Sequence, residues 1–186
     1  MTNADYKACV DAGRCDLPEN TNHYNNPTYE NHPVVYVHWN QAKTYCEWRR
    51  ANLPTEAQWE KAARGSDART YPWGEDINCD RANYISSCVG DTSEVGSYEG
   101  GKSPYGMYDM AGNAWEWVND WYGERYYLDS PLSNPSGPSS GKYRVFRGGA
   151  WVSFDYNVRS AYRNYDLPDR IFSMGLGFRC AKDTTP

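Results

Sequence analysis

Two carboxylates, Asp109 and Glu116, bracket a glycine-bent turn in Gly106-Met107-Tyr108-Asp109-Met110-Ala111-Gly112-Asn113-Ala114-Trp115-Glu116-Trp117. Two carboxylates together with the backbone carbonyls of Gly112 and Ala114 form the hard oxygen set that calcium selects. The competing reading is that both carboxylates bond backbone amides. The three histidines are His23, His32 and His38, and none is spaced as a metal pair. His38 beside Trp39 reads as a packed polar residue. No serine sits in a nucleophile elbow, and no glycine-rich phosphate loop precedes a helix.

Six cysteines allow about 15 disulfide connectivities. Local spacing favours Cys9–Cys15 and Cys79–Cys88, each closing a short loop, which leaves Cys46 with Cys180 as a long-range staple. The alternative is free buried thiols. Disulfides would favour an extracellular or cell-surface setting, although thermophiles also carry them inside the cell. No charged start followed by an apolar run marks a signal peptide, and the chain reads as an excised domain.

A different chemistry, recognition, is written into the last third of the chain. Between Arg147-Gly148-Gly149-Ala150-Trp151 and Gly175-Leu176-Gly177-Phe178-Arg179-Cys180 lie three patches without helical or strand period. They are Val152-Ser153-Phe154-Asp155-Tyr156, Asn164-Tyr165-Asp166-Leu167 and Ile171-Phe172-Ser173. Rigid aromatics mixed with small polar groups are the composition of a binding surface. The competing reading places these aromatics in the core. The flanking glycine motifs predict tight turns and close backbone approach.

The elements that must hold this surface are few. Of 186 residues, 39% are hydrophobic and 16% aromatic, so large rings rather than aliphatics fill the core. The length suits one domain over 1–186, with the binding region at about 152–174. A net charge of −5 without a basic run argues against nucleic acid, and no apolar stretch approaches membrane-spanning length. Thr2 caps a helix through Val10 ended by Gly13. Val34–Val37 reads as a short strand, and Asn40 caps a helix to about Arg50. Thr55 and Gln58 form a capping box for a helix ended by Gly65. Residues 66–101 are turn-rich loop. Trp115 and Trp117 alternate with polar partners and predict a strand pairing with the final ones. Tyr143–Trp151 and Gly177–Ala181 complete a small antiparallel sheet.

Leu53-Pro54-Thr55-Glu56-Ala57-Gln58-Trp59-Glu60, Tyr71-Pro72-Trp73-Gly74, Tyr105 to Trp117, Arg147 to Trp151 and Gly177-Phe178-Arg179-Cys180-Ala181 follow one another in order. Together they resemble the formylglycine-generating-enzyme (sulfatase-modifying-factor) domain family over nearly the whole chain. The family's strand before the motif matched by Thr2-Asn3-Ala4-Asp5-Tyr6 has no counterpart here. The resemblance implies an α+β, C-type-lectin-like fold with two helices, small antiparallel sheets and long irregular loops. It also implies the Cys46–Cys180 disulfide and a structural calcium ion at Asp109, Gly112, Ala114 and Glu116. A second calcium site of the family, near Asn83 and Tyr84, has no clear acidic match.

The family's oxidases hold copper on two cysteines, and thiolates suit that metal. The matching positions here are Ser153 and Val158, with Ala150 and Phe154 at two further catalytic positions. The expectation is therefore a non-enzyme with neither copper nor iron. A sharper resemblance is to variable proteins diversified by retroelements. Their frame matches Arg147 to Trp151, Arg159-Ser160-Ala161-Tyr162-Arg163 and Gly177-Phe178-Arg179. Mutated asparagine codons cannot give Lys, Glu, Gln, Met or Trp, and none of these occurs among the three patches. This resemblance implies a protein or other macromolecular ligand at a hypervariable face. The alternative is a structural or sensor domain of the same fold, for example appended to a kinase.

Overall fold

The computed structural model describes residues 1–170 and 175–182. Three α-helices form: α1 (Asn3–Asp11), α2 (Trp39–Trp48) and α3 (Glu56–Arg64). One more helix is present than the two that the resemblance implied. Capping boxes start α1 at Thr2 and α3 at Thr55, as their sequences predict, and Gly65 ends α3 with a φ of 70°. Helix α2 starts differently. His38, not Asn40, is its N-cap, accepting the Gln41 N–H on Nδ1 while the Gln41 side chain returns the bond. Residues Val34–Val37 form no strand in the described structure. Tyr36 takes a φ of 62°, which breaks the extension a strand needs.

The sheet contains β1 (Trp115–Trp121), β2 (Arg144–Arg147), β3 (Asn164–Asp166) and β4 (Leu176–Phe178), in the order β3-β2-β1-β4. β2 runs antiparallel to both β1 and β3, but β4 runs parallel to β1, so the sheet is mixed rather than antiparallel. β4 pairs Gly177 with Glu116 and passes tightly under the chain at Val34. A Cβ on Gly177 would lie 2.3 Å from the Val34 carbonyl oxygen, which explains the small residue between two apolar ones.

Rings fill the space between helices and sheet. Tyr6 of α1 stacks on Tyr45 of α2, and both meet Phe178 of β4 edge-on. Trp115 and Trp117 each meet Phe146 edge-on across β1 and β2. Buried indoles need an acceptor. Trp39 Nε1 donates to Val118 O at 2.8 Å, Trp117 Nε1 to Val37 O at 3.0 Å and Trp59 Nε1 to Glu116 Oε2 at 2.6 Å. These three bonds tie α2, the 34–37 segment and α3 to the sheet. The six cysteines form Cys9–Cys15, Cys79–Cys88 and Cys46–Cys180, the pairing that the spacing favours.

Candidate functional site

The loop after β2 begins with Gly148 and Gly149, both at positive φ. A Cβ on Gly149 would come within 2.3 Å of Val158 Cγ1, so only glycine lets the loop close on itself. The base of the loop is sewn inward. Trp151 N–H donates to Asn113 O, and Ser153 O accepts the Ile85 N–H at 2.8 Å. Ser153 Oγ accepts the Ala150 N–H at 2.9 Å. Ser153 is buried, and Val158 is fully buried against Tyr71 and Ala111. Ser153 is therefore not part of an exposed binding face, and Val152 is half-buried against the core.

The tip of the loop turns outward through a 3₁₀ turn, Asp155–Asn157. Phe154 and Tyr156 are 55% and 50% exposed, with their rings stacked 5.8 Å apart. Asp155 is exposed beside them. Tyr156 meets Tyr162 edge-on, and Tyr162 in turn tilts against Trp115. An unbroken ring ladder thus runs from the surface into the core, so the tip is held by packing rather than by length.

Asn164, Tyr165 and Asp166 form β3, an element their own pattern did not announce. Pairing with Arg144–Phe146 of β2 makes the strand. Tyr165 is exposed, stacks on Tyr122 at 3.8 Å and tilts against Tyr143. Asn164 and Asp166 are half-buried, each accepting the amide of its successor. Leu167 is also half-buried. Ile171, Phe172 and Ser173 lie outside the described residues. Among the described residues, no ring of the Phe154 group pairs with a ring of the Tyr165 group.

Beneath both groups sits a carboxylate to which the sequence drew no attention. Glu56, the first residue of α3, is 1% exposed. Its Oε1 accepts from Arg147 Nη1 and from Arg163 Nε, each at 2.6 Å. Its Oε2 accepts from Arg163 Nη2 at 2.8 Å and from the Tyr127 hydroxyl. Arg147 also donates to Glu60 and to Ser160 O. Arg147, before the first patch, and Arg163, before the second, therefore converge on one side chain. Asp120 Oδ2 accepts the Glu56 N–H at 2.7 Å, while Asp120 Oδ1 finds no partner among the described residues. Burial pushes the Asp120 carboxyl up to about 6.

Asp109, Ala114 and Glu116 do come together, lining one cavity of about 460 Å3 with Arg179, while Gly112 does not line it. Glu116 is heavily engaged, by Trp59 Nε1 and by a two-pronged contact from Arg179. Asp109 is not. Among the described residues its side chain takes one hydrogen bond, from the Gly96 N–H, and burial holds its carboxyl above the usual carboxylate range. A half-buried carboxylate with one donor keeps acceptor capacity to spare. Arg179 Nη2 donates to Tyr108 O at 3.1 Å and to Asp109 O at 3.3 Å, so a calcium ion would be held through the Asp109 carboxylate rather than through these carbonyls. No three His, Cys, Asp or Glu side chains cluster to hold a metal among the described residues, so backbone oxygens would have to complete the shell. At the family's second calcium position, Asn83 Oδ1 is buried without a partner among the described residues, and its Nδ2 donates to Asp91 O and Ser93 Oγ.

This fold of few helices, a short curled sheet and long packed loops is the C-type-lectin-like fold. A family model described as the Sulfatase-modifying factor enzyme 1-like domain matches residues 1–184, and the chain belongs to that family. It is 48% identical over 160 residues to the serine/threonine-protein kinase pkn1 of Chlamydia pneumoniae, covering 84% of this chain and 25% of that protein. It is 41% identical over 170 residues to the formylglycine-generating enzyme of Streptomyces coelicolor, covering 82% of this chain and 53% of the enzyme. The chain thus spans a quarter of the kinase and about half of the enzyme. Treponema denticola variable protein 1 shares the fold, with a TM-score of 0.72 at 24% identity over 96% of this chain and 80% of that one.

Proposed function

We propose that this domain is a non-catalytic ligand-binding module that displays a diversified recognition face on a C-type-lectin-like scaffold. One observation carries the reading. Residues at the positions of the family's two catalytic cysteines, Ser153 and Val158, are turned inward and used for packing, while Phe154, Asp155 and Tyr156 between them are turned out. All six cysteines are in disulfides, so no thiol remains for copper chemistry. The face comprises Phe154, Asp155 and Tyr156 with Asn164, Tyr165, Asp166 and Leu167; Ile171, Phe172 and Ser173 are assigned to the same binding set from sequence and lie outside the described residues. Its ligand is a protein or another macromolecule, because separate aromatic groups on a stiff scaffold make a broad contact.

Sequencing this gene across a natural population tests the reading. Substitutions concentrated at 154–156, 164–167 and 171–173 over a silent frame are expected. Evenly spread variation would overturn diversification. A fixed structural or sensor module is the second reading, favoured by the 48% identity to part of a kinase. That reading expects the same positions to be invariant.

Calcium at Asp109 has a structural role in this proposal, pinning the turn before β1. Added calcium raises the unfolding temperature of the wild-type domain, and Asp109→Ala abolishes the rise. An equal rise in both proteins would remove calcium from this site.

A further inference from the structure

A cleft of about 480 Å3 opens beside the Phe154–Tyr156 tip, between the end of α3 and the 159–163 turn. Four arginines line it: Arg64, Arg69, Arg159 and Arg163. No aspartate or glutamate does. For a chain of net charge −5, four guanidiniums from three separate segments around one hollow are a marked local excess.

The carboxylates near the cleft hold three of these guanidiniums without balancing all of the positive charge. Arg64 pairs with Glu60, but Glu60 also holds Arg147. Arg163 pairs with Glu56, which is shared with Arg147 in the same way. Arg69 pairs with Asp67, which is itself mostly exposed. Arg159 forms no ion pair among the described residues; its Nε donates to Tyr156 O at 2.9 Å, and its outer nitrogens have no hydrogen-bond partner among those residues. Arg64 Nε is buried and finds no acceptor among the described residues. A buried guanidinium donor without an acceptor is costly unless a ligand supplies one. The cleft continues into a second cavity of about 540 Å3 that shares Arg64 and Arg163 and adds both Lys61 and Glu60.

We propose that this arginine-lined cleft is an oxyanion subsite, taking a carboxylate or phosphate group of the ligand that the Phe154–Tyr156 tip engages. Guanidinium forks match both groups in geometry and charge. Contact with the tip is direct, because Tyr162 lines the cleft and its ring meets that of Tyr156. The proposal rests on the binding reading above and sharpens it. Arg159 and Arg163 belong to the frame rather than to the patches, so the subsite is a constant anchor beside contacts that change. Ligands of different shape would share an acidic feature.

The test is a titration of the whole domain at low salt with inorganic phosphate and, separately, with a hexaglutamate peptide, followed through the arginine Nε–Hε resonances. Saturable shifts at Arg64 and Arg159 with either probe are expected, and the probe that saturates first identifies the anion. Arg159→Glu, a surface change, weakens that binding by about tenfold or more through charge reversal. Absence of saturable shifts with both probes, or unaltered affinity in Arg159→Glu, overturns the subsite. Phosphate binding that survives in a gene showing no diversification would retain the subsite and discard only the variable-face reading.

Discussion

The base and the tip of one loop, seven residues apart at most, have opposite characters. Gly149, Ala150, Ser153 and Val158 are locked by close contacts, amide bonds and full burial. Phe154 and Tyr156 between them expose half of their surface and touch chiefly each other and Tyr162. The lesson is that tolerance to change at a binding tip depends on over-determination directly beneath it. Here that support reaches through Arg147 and Arg163 to Glu56.

The contrast is broken most severely from below. Glu56→Ala leaves Arg147 buried without its principal counter-charge, and removal of one partner of a buried pair costs about 3–5 kcal/mol. Thermal and urea unfolding should show this loss, with Tyr165 and Tyr156 resonances broadening together. A loss under about 1 kcal/mol would mean that the clamp is not what supports the loop.

A subtler probe is Asp120. Its carboxyl in the folded protein titrates near 6, above its value in an unfolded chain. The folded state therefore binds the proton more tightly, and stability declines as pH rises from about 4 to about 6. Asp120→Asn removes that decline and stabilises the protein at pH 7 by about 3 kcal/mol, the equivalent of a rise from 3.8 to about 6. Denaturant midpoints measured from pH 4 to 7 check the sign, since an unchanged slope in the variant would assign it to another group.

At the tip the expectation reverses. Phe154→Ala with Tyr156→Ala should change stability by no more than about 0.5 kcal/mol, as surface substitutions do. Ligand selected on the wild-type face should bind about tenfold or more weakly, because exposed aromatics dominate such contacts. A large stability loss with intact binding would make these rings structural.

Much of this was legible in the sequence where the cause is local. Thr2, Thr55 and Gln58 announce helix starts because capping needs only three residues. Cys9–Cys15 and Cys79–Cys88 follow from short spacing. The Glu56 clamp was not legible, since its arginine partners lie 91 and 107 residues away. A carboxylate in a first helical turn already has a sufficient local reason to be there. The parallel direction of β4 was hidden for a similar cause, because an apolar-glycine-apolar run pairs either way and the path of the chain decides. His38 was read as packed, and its role as a cap depends on Gln41 reaching back. For the recognition patches, composition separated surface from frame at Phe154, Tyr156 and Tyr165 but not at Ser153, where the bond to Ala150 turned a polar side chain inward.

The Cys46–Cys180 bond, between residues 134 apart in sequence, closes a covalent loop that contains α3, all four strands and the Phe154 and Tyr165 groups. Under tension applied through the chain beyond Cys180, load would pass across the sulfurs directly into α2. The enclosed segment would carry almost none of that pull. A domain gripping a ligand while its polypeptide is stretched would therefore keep its recognition loops mechanically slack, until the sulfur bridge is reduced.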